Sequence, residues 1–144
     1  MTEIIGIDHI YLTVSDIAIA ERFYDQLFVA VLGFRKNSFT LGGDSHIQYY
    51  NRHFGYVLRP ARESGTFNRY SPGLHHLCLR VETIDDVREC AEAMSAAGLE
   101  PVGPAHYPEY APDYRAVYAT DPDGMQIEIT NFRQERRERY EKLQ

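Results

Sequence analysis

Two stretches of the chain carry the same alternation of apolar and polar residues, offset by 67 positions. In Asp8-His9-Ile10-Tyr11-Leu12-Thr13-Val14, Ile10, Leu12 and Val14 fall on one side of an extended backbone and His9, Tyr11 and Thr13 on the other. His75-His76-Leu77-Cys78-Leu79-Arg80-Val81 repeats the arrangement, with His76, Cys78 and Arg80 as the polar set. Period-two alternation predicts a strand with one buried face. A helical spacing follows each strand. Ile17, Ala20, Phe23, Tyr24 and Leu27 form one apolar stripe that ends near Gly33; Ile84, Val87, Cys90, Ala91 and Met94 form another that ends at Gly98. Thr83, with Asp86 three residues on, is a variant capping box that starts the second helix.

Three strands are predicted after each helix: 34–40, 46–51 and 56–59 in the first half, and a short one at 99–102, then 114–120 and 125–131, in the second. Asp121-Pro122-Asp123-Gly124 is a tight turn between the last two. The polar, Gly- and Pro-containing stretch 63–73 is the expected connector. The pattern predicts an α+β fold in one domain of two βαβββ modules, about 1–66 and 67–144. A βαβββ sheet has one face covered by its helix and one left open. Two such modules are expected to pair as a half-barrel around a shared cavity, where functional residues would gather.

The alternation also selects the residues for that cavity. The apolar set belongs under the helices, so His9 and His76, at equivalent repeat positions, belong on the open face. On the last strand Ile127 and Ile129 flank Glu128, which puts Gln126, Glu128 and Thr130 on the open face as well. Two neutral imidazoles and a carboxylate are a standard ligand set for Fe, Mn, Co, Ni or Zn. The expected cofactor is therefore one divalent metal ion on His9, His76 and Glu128. Tyrosine is abundant, 11 residues, and Tyr56 and Tyr107 are candidates for an aromatic, substrate-binding wall, with Arg115 as a candidate for an anionic substrate group.

Net charge is −6 with His neutral, which argues against nucleic acid as a partner. The one basic cluster, Arg133, Arg136, Arg137 and Arg139, is interleaved with Glu135, Glu138 and Glu141, and the spacings Glu135–Arg139 and Glu138–Lys142 predict ion pairs on a solvated helix. Cys78 and Cys90 do not make a disulfide framework. No signal peptide and no apolar run of membrane-spanning length is read, so a cytoplasmic protein with no membrane partner is expected.

The segments IDHIYLTVSD, FYDQL, LGF, GLHHLCLRV and YATDPDGMQIEITNF resemble the signature segments of the glyoxalase/bleomycin-resistance/extradiol-dioxygenase (vicinal oxygen chelate) superfamily. By that resemblance His9, His76 and Glu128 fall on the family's metal-ligand positions, and Tyr118 falls where extradiol dioxygenases and fosfomycin-resistance enzymes carry an active-site tyrosine. The strand Phe54-Gly55-Tyr56-Val57-Leu58-Arg59-Pro60 lacks the fourth ligand, Glu or Gln, of glyoxalase I and methylmalonyl-CoA epimerase. The resemblance therefore implies a metal-dependent enzyme, with dioxygenase-like or lyase/addition chemistry on a small oxygen-bearing substrate chelated through two oxygens. The alternative is a drug- or toxin-binding protein of the bleomycin-resistance type. A homodimer is expected on the same ground, with the site formed within one chain or across two.

Overall fold

The structure, a computed structural model, describes residues 1–143 of the 144. The described chain falls into two compact units, one of residues 1–67 with 121–123, the other of the remainder. The first unit runs β1 (His9–Val14), α1 (Ile17–Tyr24), a π-helical segment (Asp25–Val31), β2 (Arg35–Leu41), β3 (Asp44–Tyr50) and β4 (Gly55–Pro60). The second runs β5 (His76–Val81), α2 (Ile84–Ala96), β6 (Val102–His106), β7 (Arg115–Thr120), β8 (Gln126–Asn131) and α3 (Gln134–Lys142). Each unit holds a four-stranded sheet, in the orders β1-β4-β3-β2 and β5-β8-β7-β6. In each, the first strand lies parallel to the last and the remaining pairs are antiparallel. The fold is α+β, built from one βαβββ topology used twice.

The first core forms where alternation meets the helix. Tyr49 and Ile47 on β3 pair with Tyr56 and Leu58 on β4, so all four side chains share one face. That face packs under Ala20, Tyr24, Leu27 and Phe28, every one of them buried. Burial of side chains this size contributes about 1.5–3 kcal/mol each. The buried phenols keep polar partners, as they must. Tyr56 donates its O–H to the Tyr24 oxygen at 3.1 Å, and Tyr24 donates to the buried Asp121 carboxylate at 2.7 Å. Tyr49 donates to Asp25 at 2.8 Å. The single helix expected over 17–32 widens into a π-helical turn at Asp25. Leu27 and Phe28 are buried side by side there, and apolar spacing alone does not separate that geometry from α.

In the second unit Val87, Ala91 and Met94 of α2 pack on Val117, Ala119, Ile127 and Ile129, all buried. The capping box is complete: Asp86 N–H donates to Thr83 Oγ1 at 3.1 Å, and Thr83 N–H to Asp86 Oδ2 at 3.0 Å. The short strand predicted at 99–102 instead lies at Val102–His106. Leu99, buried, closes the end of α2, its N–H donating to the Met94 carbonyl after Gly98 turns the chain at φ +79°. Pro104 obscured the true strand in the sequence; β6 is a sheet edge, where proline is tolerated. Gly103 is required there, because a Cβ would meet the Ala116 carbonyl oxygen at 2.8 Å. On α3 the Glu135–Arg139 pair forms at 2.6 Å, whereas Glu138 accepts from Gln134 at 3.3 Å.

Candidate functional site

The open face of the second sheet is set by register. Glu128 on β8 lies opposite Cys78 on β5 and opposite Tyr118 on β7, so these three side chains share a face. Ile127 and Ile129 take the α2 side. Glu128 is 3% exposed, and a carboxylate so removed from water needs donors or a cation. One oxygen, Oε2, accepts the Tyr114 O–H. The other, Oε1, lies 3.2 Å from Nε2 of His76, which is partly exposed.

The imidazole beside it is held from behind. Nδ1 of His76 lies 2.8 Å from Nδ1 of His75. In the first unit the same relation recurs: Nδ1 of His9 lies 2.7 Å from Oδ2 of Asp8. In both repeats the preceding residue engages Nδ1, so that contact leaves Nε2 for other partners. A partner on one ring nitrogen fixes the tautomer and orients the other for a metal. With the proton on Nδ1 of His76, Nε2 is an acceptor 3.2 Å from Oε1, and the two electron pairs are available to one shared cation. Two ligand atoms each about 2.0–2.1 Å from a first-row metal, at adjacent coordination positions, stand about 3 Å apart. The donor set therefore fits a divalent ion. Among the described residues no three His, Cys, Asp or Glu side chains gather closely enough to hold one. The second unit supplies His76 and Glu128; His9 belongs to the first.

Tyr118 and Tyr114 flank the carboxylate. Loss of hydration first, and then the Glu128 carboxylate, push both phenols well above 10, so each is a proton donor at neutral pH. Burial and the same carboxylate push the Cys78 thiol up to about 12, which makes it an unreactive neighbour. The loop between β6 and β7 brings Tyr107, Tyr110 and Tyr114 together, with ring centroids 5.3–6.5 Å apart, and Tyr107 also meets Tyr118 edge-on at 6.1 Å.

His9 stands on the open face of the first sheet, over a hollow of about 520 Å³ lined by Tyr11, Gln48, Tyr50, Phe54 and Val57. Its register is informative. His76 pairs with Gln126, and Glu128 lies two residues on; His9 pairs with Gly55, and Val57 lies two residues on. Val57 thus holds the repeat position of Glu128, and no carboxylate stands there.

Two sequence-predicted residues lie elsewhere. Tyr56 pairs with Ile10, not with His9, and is fully buried beneath α1. It is a core residue and does not line the His9 face. Arg115 alternates with Ala116 and Tyr118, which places it on the face of β7 opposite to Glu128. Both corrections follow from strand parity, which strand residues chosen by chemistry alone do not respect. From sequence, Tyr114 reads only as one of several tyrosines that could line the cavity and His75 as a strand-end polar residue, and Asp8 carries no role. Carrying the alternation of β7 backward from Tyr118 through Ala116 reaches Tyr114, and the i−1 position of each repeat histidine reaches Asp8 and His75.

A family model described as the Glyoxalase/Bleomycin resistance protein/Dioxygenase superfamily matches residues 6–129. A curated protein, virulence protein STM3117 of Salmonella typhimurium, is 28% identical over 129 residues, which span 88% of this chain and 83% of that protein. Among solved structures, the glyoxylase/bleomycin resistance protein/dioxygenase domain from Frankia sp. EAN1pec aligns with a TM-score of 0.73 at 23% identity, covering 91% of this chain and all of that one. The fosfomycin resistance protein FosX from Listeria monocytogenes aligns with a TM-score of 0.66 at 18% identity, covering 94% and 99%. At these identities the structural likeness is one of fold.

Proposed function

The chain belongs to the glyoxalase/bleomycin resistance protein/dioxygenase superfamily, and on that footing we propose that it is a divalent-metal-dependent enzyme acting on a small oxygen-bearing organic substrate. His9, His76 and Glu128 hold the ion. The observation that carries this reading is the pair of Nε2 of His76 and Oε1 of Glu128, 3.2 Å apart on one sheet face, each with its other polar atom already engaged. When bound, the ion supplies Lewis-acid polarisation of substrate oxygens and open coordination positions. Tyr118, protonated at neutral pH, donates a hydrogen bond to a substrate oxygen. Tyr107 offers its ring as a wall for the substrate's carbon frame.

Val57 at the repeat position of Glu128 favours a three-ligand site over one with a fourth carboxylate that shuttles a proton. The reading is accordingly dioxygenase-like or lyase/addition chemistry. We infer a homodimer. The free cysteines Cys78 and Cys90 suit the reducing cytoplasm.

The test is metal content of untagged protein, wild type and Glu128→Ala, followed by turnover of a catechol under oxygen and of an epoxide with a nucleophile. One ion per site in wild type, none in the variant, and turnover that stops on chelation support the reading. No ion after reconstitution, with tight binding of an aromatic drug-like ligand and no turnover, makes the protein a sequestering one. Mixing His9→Ala with Glu128→Ala protein shows which copy supplies His9: metal binding restored in the mixture assigns it to the second copy.

A further inference from the structure

Tyr114 is tied into the second unit from every side. Its N–H donates to the Ala111 carbonyl at 3.1 Å, and its carbonyl accepts from Tyr107 N–H at 2.8 Å. Its ring meets Tyr110 at 5.3 Å and Tyr107 at 6.5 Å, edge-on in each case. The Arg133 guanidinium lies over the ring, 5.2 Å from its centroid, and is itself held by Glu135 at 2.7 Å. The side chain is buried with Ala111 and Ala116. A ring confined this way holds its hydroxyl in one place, and that place is Oε2 of Glu128.

We propose that Tyr114 is the positioning residue of the metal site: by donating to Oε2 it turns Glu128 so that only Oε1 faces His76, and makes the carboxylate a one-oxygen ligand. This rests on the metal reading above. The physical ground is that a carboxylate free to rotate about its terminal torsion presents either oxygen or both, and a torsion of that kind has no sharp staggered minimum of its own. A donor fixed on one oxygen removes that freedom before the ion arrives. Outer partners of this kind are worth about 10–100-fold in metal affinity. The tyrosine cluster of the β6–β7 loop thereby has a second task besides apolar packing, since it braces the brace.

The test is Zn²⁺ affinity by chelator competition for wild type, Tyr114→Phe, Tyr110→Phe and Glu128→Ala. Tyr114→Phe removes the hydroxyl and keeps the ring; Tyr110→Phe removes a hydroxyl from the same cluster without touching Glu128. The expected result is a Kd about 10–100-fold weaker in Tyr114→Phe, unchanged in Tyr110→Phe, with the fold intact by circular dichroism. Wild-type affinity in Tyr114→Phe overturns the proposal and leaves the metal reading standing, provided Glu128→Ala has lost the ion. No Zn²⁺ binding in wild type overturns both. Should Tyr114→Phe not fold, the Zn²⁺-loaded wild type is read by proton NMR. A water-protected hydroxyl proton with an Overhauser contact to the Tyr114 ring supports the proposal, and an exchanging one overturns it.

Discussion

Val57 in the first unit occupies the register position that Glu128 occupies in the second: each lies two residues beyond the partner of its repeat histidine, on the same face of an equivalent strand. The duplication has kept the histidine on both sides and a carboxylate on one. Val57→Glu restores the symmetry. In the metal-free protein it places an unpaired carboxylate at a site now 3% exposed, at a cost on the order of 3 kcal/mol. Urea denaturation with and without Zn²⁺ should show that loss and its recovery on metal addition. A loss that Zn²⁺ does not reduce would mean that Val57 is remote from the ion.

Asp8 acts on His9 from the exposed side. Asp8→Ala removes the acceptor 2.7 Å from Nδ1 and lets the ring choose the other tautomer. Metal affinity should fall by about 10–100-fold. Stability should stay within about 0.5 kcal/mol, since Asp8 is exposed and pairs only across the surface. Chelator competition and a urea melt on one preparation separate the two effects.

Tyr24 donates to Asp121, both buried, and the ring is packed by Phe28 and Tyr56. Tyr24→Phe keeps the packing and removes a donor from a buried carboxylate. The expected loss is about 1–3 kcal/mol by urea denaturation. A change within about 0.5 kcal/mol would contradict it.

Asp44 gives the pH dependence. Hydrogen bonds from Arg62 and Arg59, at 2.9 and 2.6 Å, hold its carboxyl below its ordinary 3.8. A folded value below the unfolded one means stability that is fully present above about pH 4 and lost as pH falls through the folded value. The melting temperature of wild type should exceed that of Asp44→Asn at pH ~7, and the gap should close on acidification below pH ~4. Added salt should narrow the gap at neutral pH. A gap that persists in acid would assign the effect to something other than the ionised carboxylate.

Most of the fold was legible because it is written twice. The alternation around His9 and His76, the stripe of Ala20 and Tyr24 and the Thr83 box each depend on local periodicity, and the second copy checks the first. The strand at Val102–His106 was not legible, because Pro104 reads as a breaker unless the strand is known to be an edge. The pairing of His76 with Glu128 follows from parity on two strands. Tyr114 lies one residue before β7, in phase with Ala116 and Tyr118, so the alternation reaches it, while its hydrogen bond to Glu128 is visible only in the structure. Tyr56 was misplaced for the opposite reason: its chemistry suits a binding wall, while its parity with Ile10 puts it in the core.

The proposed site has His9, His76 and Glu128 on one metal ion. The direct measurement is a Zn²⁺ titration of wild type and of His9→Ala, His76→Ala and Glu128→Ala, with stoichiometry and affinity read in each. One ion per chain in wild type, with binding at least ~100-fold weaker in each of the three variants, is the result predicted. Full binding in His9→Ala, with loss confined to the other two, would contradict it and reduce the site to the second unit alone.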